Sequence, residues 1–325
     1  MWFTVREPVR GAIDGMPTPG LPNPMRAVMA EFAAMLPPWN WRGFARMAPG
    51  RRTLLGNIGL FAALVIGAIA VIHFTDGLLA PAKRAVVGHM GSFPITTNMV
   101  QWAALAVGIY CVGSWVQTIR LRDPVSYTLI ANPGFIGLTI AGGLMSYISY
   151  GLSPFIFLYA KQSFGVGAES GLTLGLITAI GGGLGASFGG IFGDWLRRYH
   201  AGGRVLVMIL AALGSTVTIY ASYTVTSLSA FYAFAGLNMF VHIMWLGPCA
   251  ASVQDLVLPR MRGTATAVFF LGTTILGLGL GPYLVGLVSD VTGNLRYALM
   301  GTLAVMPIIL IAMAVALRPA REYVG

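Results

Sequence analysis

The chain has 325 residues, of which 56% are hydrophobic and only 9% are charged. Because about a quarter of the residues in an average soluble domain are charged, this composition excludes a soluble enzyme. The formal net charge of +10 does not indicate a nucleic-acid partner, because the basic residues are distributed as in a membrane protein.

Eight mostly apolar segments are each about 20 to 26 residues long, which is enough to cross a bilayer as a helix. We place them at 54–74, 99–118, 134–159, 171–192, 204–224, 230–253, 264–288 and 296–317. The sequence therefore predicts an all-α membrane protein with eight transmembrane helices.

Lysines and arginines fall almost entirely into alternate gaps between these segments. Of the 20, only Lys83, Arg84, Lys161 and Arg296 lie on one side, whereas the others lie on the side of both termini. Basic loops tend to stay in the cytoplasm. We therefore expect a multi-pass protein of the cell membrane with both termini in the cytoplasm. Its expected partners begin with the lipid bilayer that surrounds it.

Residues 1–53 are predicted to form a cytoplasmic lead segment, in which prolines between positions 17 and 24 prevent a continuous helix. Apolar residues then recur at helical spacing, namely Val28, Met29, Phe32, Met35 and Leu36. This stripe predicts an amphipathic helix. It lies on the membrane surface or packs on the protein's own cytoplasmic face.

The first two apolar segments are predicted to form an extra helix pair over residues 54–118. The connection between them, 75–98, contains the stretch LLAPAKRAVVGHM, in which we expect a short surface helix. A cytoplasmic linker, 119–133, leads to the last six segments over 134–317. Residues 318–325 are a cytoplasmic tail.

An internal repeat relates the last six segments to one another. GGIFGDWLRR follows the fourth segment and VGLVSDVTGN follows the seventh, so Gly190 and Asp194 recur 96 residues later as Gly286 and Asp290. The same offset maps the third segment onto the sixth. We therefore expect two copies of a three-helix unit, and the odd number of helices inverts the second copy.

The sequence resembles that of a known protein family. Residues 134–317 resemble the six-helix C-terminal half of a major facilitator superfamily transporter, whose halves are built from such inverted repeats. PRMRGTATA, at the entry to the seventh segment, is similar to the spinster-type subgroup. GGIFGDWLRR is similar to the family's cytoplasmic loop motif, although Arg197 replaces the second glycine of that motif.

TVREPVRG, residues 4–11, is similar to the segment that follows the sixth helix of spinster-like transporters. This resemblance implies that the six N-terminal helices are absent. The chain is then a partial transporter, either truncated or partnered by a separate N-terminal half. A homodimer that rebuilds a two-half cavity is a further alternative.

Polar side chains within the apolar segments are functional candidates, because they are costly in hydrocarbon. Family members line their cavity with the first helix of each repeat, here the third and sixth segments. The candidate substrate-binding residues are Tyr147, Tyr150, Asn238, His242 and Trp245. His242 is also the candidate coupling residue, because histidine carries a proton near neutral pH. The alternative is interhelical packing with satisfied hydrogen bonds.

A conformational latch is predicted at the cytoplasmic end of the fourth segment, where charges of both signs follow the glycine-rich helix. Its candidate residues are Gly190, Asp194, Arg197, Arg198, Asp255 and Arg262, with Gly286 and Asp290 as repeat counterparts. Ordinary solvated loop charges are the alternative. Glycines crowd the fourth and seventh segments, which suits close packing within the half or sliding against the opposite half.

The combined prediction is a secondary active transporter that moves a small organic or amphiphilic, lipid-like solute by alternating access, driven by protons or sodium. A non-transporting scaffold or regulatory subunit is the alternative. The chain contains no Walker loop and no H-E-x-x-H or G-x-S-x-G motif, so we expect no enzyme activity. Cys111 and Cys249 lack metal-ligand spacing, and no cofactor or metal is expected.

Overall fold

The computed structural model describes residues 23–47, 50–79 and 85–322. The first part contains α1 (Pro24–Met35), α2 (Trp39–Arg46), α3 (Gly50–Leu78), β1 (Val86–Met90), β2 (Phe93–Thr96), α4 (Thr97–Arg122) and α5 (Pro124–Ile130). The second part contains α6 (Pro133–Leu152), α7 (Ile156–Phe164), α8 (Glu169–Arg197), α9 (Gly203–Ser222), α10 (Leu228–Ile243), α11 (Leu246–Asp255), α12 (Arg262–Thr292), α13 (Leu295–Gly301) and α14 (Met306–Glu322). The prolines of the lead segment before position 23 and the TVREPVRG segment lie outside the described residues.

Within the described residues, eight helical segments are long and apolar enough to cross a membrane, which confirms the predicted membrane fold. Helices α3, α4, α8, α9 and α12 each supply one span. The third span begins with α6, the sixth consists of α10 and α11, and the eighth consists of α13 and most of α14. Because successive spans alternate in direction, one end of the bundle collects arginines at helix ends. We call it the arginine-rich face, and it includes Arg52, Arg122, Arg197, Arg204 and Arg262.

The connection between α3 and α4 differs from the expected surface helix. Strands β1 and β2 form an antiparallel hairpin in which His89 faces Pro94 and Met90 faces Phe93. Gly91 turns the chain with a φ of 64°, a conformation that glycine adopts without steric cost. The helix prediction was therefore wrong for 86–90, where paired β-branched valines favour a strand, while residues 80–84 lie outside the described part.

Helices α1 and α2 pack on the arginine-rich ends of α3 and α4. Asn40 of α2 is buried and donates to the Tyr110 hydroxyl at 2.7 Å and to the Ser114 hydroxyl at 2.8 Å. The Tyr110 hydroxyl in turn donates to Asn57 Oδ1 at 2.6 Å. Buried polar groups inside a helix pair need such partners, so this network fixes α2 against α3 and α4.

One side of α1 also contacts the protein itself, because Ser114 donates to the Ala34 carbonyl and Arg122 pairs with Glu31. The opposite side leaves Met29 and Phe32 exposed. The amphipathic helix therefore packs on the protein through one side and presents an apolar side outward.

The last six spans pack with partners exchanged between the two three-helix repeats. Helix α8 of the first repeat packs on α10 of the second repeat, and α12 of the second repeat packs on α6 of the first. A Cβ atom at Gly181 would lie 2.8 Å from the Gly236 carbonyl oxygen, and one at Gly281 would lie 2.7 Å from the Tyr147 carbonyl oxygen. Both crossings thus depend on glycine, as the predicted repeat requires.

One proline lies at a break in the first helix of each repeat. Pro248 has no N–H to donate to the carbonyl of Met244, and the sixth span breaks between α10 and α11 at Met244 and Trp245. Pro154 falls in the break between α6 and α7. The sixth span therefore has irregular backbone close to His242.

Helix α4 attaches the extra helix pair to the six-helix unit through α12. The Trp102 indole N–H donates to the Tyr283 hydroxyl at 3.0 Å, and that hydroxyl donates to Asn98 Oδ1 at 2.7 Å. Gln101 donates to the Gly279 carbonyl. The contact lies next to Pro282, which is inside α12.

Candidate functional site

His242 bridges the first helices of the two repeats. Its side chain is 2% exposed, and its Nε2 lies 3.1 Å from the Met145 carbonyl oxygen and 2.8 Å from the Ser149 hydroxyl, both on α6. A carbonyl only accepts hydrogen bonds, so this contact places a proton on Nε2. In a neutral ring Nδ1 is then an acceptor, and it has no partner among the described residues.

Trp245 lies on the same side of the sixth span and also faces α6. A Cβ atom at Gly142 would lie 3.0 Å from the indole ring, so the glycine provides the space that the ring occupies. The indole N–H of Trp245 is buried without a partner in the described part of the chain. Buried polar atoms that lack partners are uncommon, which makes the Trp245 indole N–H a candidate for a polar contact with a solute.

Asn238 and Tyr150 make contacts with other helices. Asn238 Oδ1 accepts a hydrogen bond from the Thr218 hydroxyl of α9 at 3.0 Å. Tyr147 is buried, whereas Tyr150 is 44% exposed and lies beside Gly277 of α12. The structure therefore brings His242 and Trp245 together against α6, whereas Asn238 bonds to α9 and Tyr150 lies beside α12.

Three of the predicted latch residues, namely Asp194, Asp255 and Arg197, lie beside an arginine that was not selected from the sequence. Arg204, at the start of α9, pairs with Asp194 at 2.6 Å and with Asp255 at 2.5 Å, and its side chain is 15% exposed. Arg197 pairs with the same oxygen of Asp255 at 2.5 Å. These ion pairs hold the ends of α8 and α11 and the start of α9 together at the arginine-rich face.

The other predicted latch residues take different positions. Gly190 lies where α8 approaches α11, because a Cβ atom at Gly247 would be 3.4 Å from its Cα. Arg198 is exposed and makes no ion pair within the described residues. Arg262 begins α12 at the arginine-rich face, whereas Gly286 and Asp290 lie near the opposite end of that helix.

Two further partners were not selected from the sequence. Thr218 resembles the other threonines of the fifth segment, so no local signal distinguishes it. Ser149 belongs to the polar stretch SYISYGLSP, and only its position opposite His242 separates it from its neighbours. Arg204 stands alone at the start of an apolar segment, which is a weak signal for an ion pair with a neighbouring helix end.

No family model matches the chain, but individual known proteins are similar to it. An MFS-type efflux pump of Mycolicibacterium smegmatis is 28% identical over 244 residues, which are 74% of this chain and 51% of the pump. Protein spinster homolog 1 of Rattus norvegicus is 24% identical over 267 residues, which are 78% of this chain and 43% of that protein. The chain is therefore similar to an MFS-type efflux pump and to spinster homologs.

A solved structure of a spinster-like transporter agrees with this fold. It is a bacterial homolog of the human lysosomal transporter spinster in an inward-facing, unoccupied conformation, with 17% identity and a TM-score of 0.50. The match covers 70% of this chain and 59% of that structure. The chain spans about half the length of the curated relatives that it matches.

Proposed function

We propose that the chain forms part of a secondary active transporter for a small organic or amphiphilic, lipid-like solute, in the cell membrane with its termini in the cytoplasm. The relationship to an MFS-type efflux pump and to spinster homologs is the observation that carries the proposal. Alternating access in this family moves one half of the molecule against the other. The opposite half is an N-terminal six-helix unit or a second copy of this chain.

His242 is the proposed coupling residue, and Trp245 is the proposed neighbour on the substrate side. Since Nε2 is bound to Met145 and Ser149, an incoming proton is accepted at Nδ1. Protonation places a positive charge between α6 and α10 and turns an acceptor into a donor. Coupling requires that the proton binds with different affinity in the two access conformations, and we propose that the contact between α6 and α10 at His242 differs between them.

The proposed binding set also includes Tyr147, Tyr150 and Asn238. Tyr150 contributes an exposed aromatic ring beside α12, while Tyr147 and Asn238 shape the helices that carry the site. The ion pairs of Arg204, Asp194, Asp255 and Arg197 are proposed to hold the arginine-rich ends of three helices as one rigid group during transport.

The test is transport in lipid vesicles by the full chain, purified with any subunit that copurifies. Two fluorescent solutes are supplied, ethidium as an organic cation and a labelled lysophospholipid as a lipid-like solute, with an imposed pH gradient or sodium gradient. We expect flux of at least one solute that depends on the pH gradient. His242→Gln retains a hydrogen-bonding side chain that does not titrate, so it should abolish this dependence.

The matched control is His73→Gln, which changes an exposed histidine of α3 outside the six-helix unit. It should leave the gradient dependence unchanged. Flux that follows sodium and is unaffected by His242→Gln would remove the coupling role from His242. Absence of flux for both solutes under both gradients would contradict transport and favour the non-transporting scaffold.

A further inference from the structure

A cavity of about 320 Å³ opens at the arginine-rich face among the ends of α8, α11 and α14 and the start of α9. Its inner wall is apolar and includes Leu138, Val205 and Ala316. Arg197, Arg198 and Ser252 lie on its polar side. The cavity thus combines an apolar interior with a cationic rim at the level where the helices leave the membrane.

The charges around this cavity do not cancel. Arg204 and Arg197 are paired with Asp194 and Asp255, so those four charges compensate one another. The Asp255 carboxylate also lines the cavity, but two arginines already bind it. Arg198 adds a cation that has no carboxylate partner in the described part of the chain. The excess charge favours an anion that accepts hydrogen bonds from a guanidinium group.

His200 adds a second nitrogen group to the rim. Its Nδ1 accepts a hydrogen bond from the Gly202 backbone N–H at 3.1 Å, which leaves the Nε2 position available as a donor. The Ser252 hydroxyl lies on the same rim but donates to the Pro248 carbonyl at 2.7 Å, so the rim's available donors are the guanidinium group of Arg198 and the His200 ring. Two donors of different kinds suit an anion with several oxygens, such as a phosphate.

An aromatic ladder leads along the outer side of α8 to the same cavity. Ring centroids are 5.6 Å apart for Phe188 and Phe192, 5.7 Å for Phe192 and Trp195, and 5.2 Å for Trp195 and Tyr199. Trp195 is 48% exposed and Tyr199, which lines the cavity, is 73% exposed. Tryptophan and tyrosine prefer the boundary between hydrocarbon and water.

We propose that this cavity binds a phosphate-bearing group, supplied by the headgroup of an anionic phospholipid whose acyl chains lie along the aromatic ladder. Arg198 is the principal cation for the phosphate, and His200 donates to one of its remaining oxygens. Basic pockets between transmembrane helices on the cytoplasmic side bind anionic headgroups in this way. The bound lipid lies at the edge of the bundle and is separate from the transported solute.

The experiment measures lipid binding to the full chain in detergent by native mass spectrometry. The probes are short-chain phosphatidylglycerol, phosphatidylcholine of the same chain length, and inorganic phosphate. We expect preferential binding of phosphatidylglycerol. Arg198→Gln should weaken it about tenfold, because the variant loses the charge-assisted hydrogen bond to the phosphate. Arg46→Gln, which removes an exposed arginine on the same face, should change it less than twofold.

Trp195→Ala distinguishes the two sources of phosphate. If a lipid is the ligand, this variant weakens phosphatidylglycerol binding and leaves inorganic phosphate binding unchanged. If inorganic phosphate binds as tightly as the lipid and Trp195→Ala affects neither, the lipid assignment is overturned and a soluble phosphate is the ligand.

Arg198 and Trp195 are both exposed, so the variants should fold, which equal thermal unfolding midpoints would verify. Equal weakening by Arg198→Gln and Arg46→Gln, or no preference for phosphatidylglycerol over phosphatidylcholine, would overturn the proposal for this cavity altogether.

Discussion

At the scale of single residues, Arg204 connects three helices through one guanidinium group. Its Nε and both terminal nitrogens are used, two of them by Asp194 and one by Asp255. A fork of donors in fixed geometry suits two carboxylates at once. Because Arg204 is far less exposed than either carboxylate, it holds the ends of α8 and α11 on the start of α9.

Replacement of Arg204 should therefore cost more than replacement of an exposed neighbour. We expect Arg204→Ala to lower the free energy of unfolding by about 1–2 kcal/mol, between the values for exposed and buried ion pairs. Thermal unfolding in detergent measures the effect, with Arg198→Ala as the control that stays within about 0.5 kcal/mol. Equal effects of the two substitutions would show that the ion pairs of Arg204 contribute little.

At the scale of elements, α8 and α10 approach so closely that one side of α8 has no room for side chains. The glycines on this side are spaced by four residues, at Gly181, Gly185, Gly189 and Gly193. A Cβ atom at Gly185 or Gly189 would meet the carbonyl of Phe240 or Met244. Without a hydrophobic effect between helices in lipid, such close packing is a main source of association.

Neighbouring glycines of α8 provide a matched test of this packing. At Gly181 an added methyl group would lie 2.8 Å from a backbone carbonyl oxygen, whereas at Gly183 nothing lies within 4 Å. We expect Gly181→Ala to destabilise the protein by about 1–3 kcal/mol. Gly183→Ala should be neutral or slightly stabilising, because alanine is the better helix former. The thermal unfolding midpoints of both variants measure these effects. An unchanged midpoint for Gly181→Ala would contradict the close contact.

At the scale of the whole molecule, an odd number of helices in each repeat places equivalent residues on opposite sides of the membrane. Asp194 lies at the arginine-rich end of α8, whereas its counterpart Asp290 lies near the far end of α12. The ion pairs of Arg204 independently place the ends of α8 and α11 on one face. The distribution of arginines predicts that this face is cytoplasmic.

Labelling of single cysteines in intact cells tests this arrangement. After removal of Cys111 and Cys249, Arg46→Cys and Arg198→Cys should be protected from a membrane-impermeant thiol reagent. Asp290→Cys and Arg296→Cys should react with it. Reaction of Arg198→Cys and Asp290→Cys from the same side would exclude the inverted repeat, since three spans of each copy could not then be related by inversion.

Much of the fold follows from the sequence alone, because span length, basic loops and the 96-residue offset of Gly190 and Asp194 are local or periodic features. Hydrocarbon thickness sets the length of a span and leaves few alternatives for an apolar segment of that size. The number of spans, the inverted repeat and the resemblance to a major facilitator half were therefore predictable. The proposed roles of His242 and the binding residues stay predictions.

The partners of individual side chains were decided only by the tertiary structure. His242 meets Met145 and Ser149 across 97 and 93 residues of chain, and Arg204 meets Asp255 across 51. Such contacts depend on which helices pack together and at what height, and neither is encoded in the local pattern. The β-hairpin at 86–96 was missed for a different reason, because its valines and Gly91 are local signals for a strand and a turn, whereas the prediction extended a helix through them.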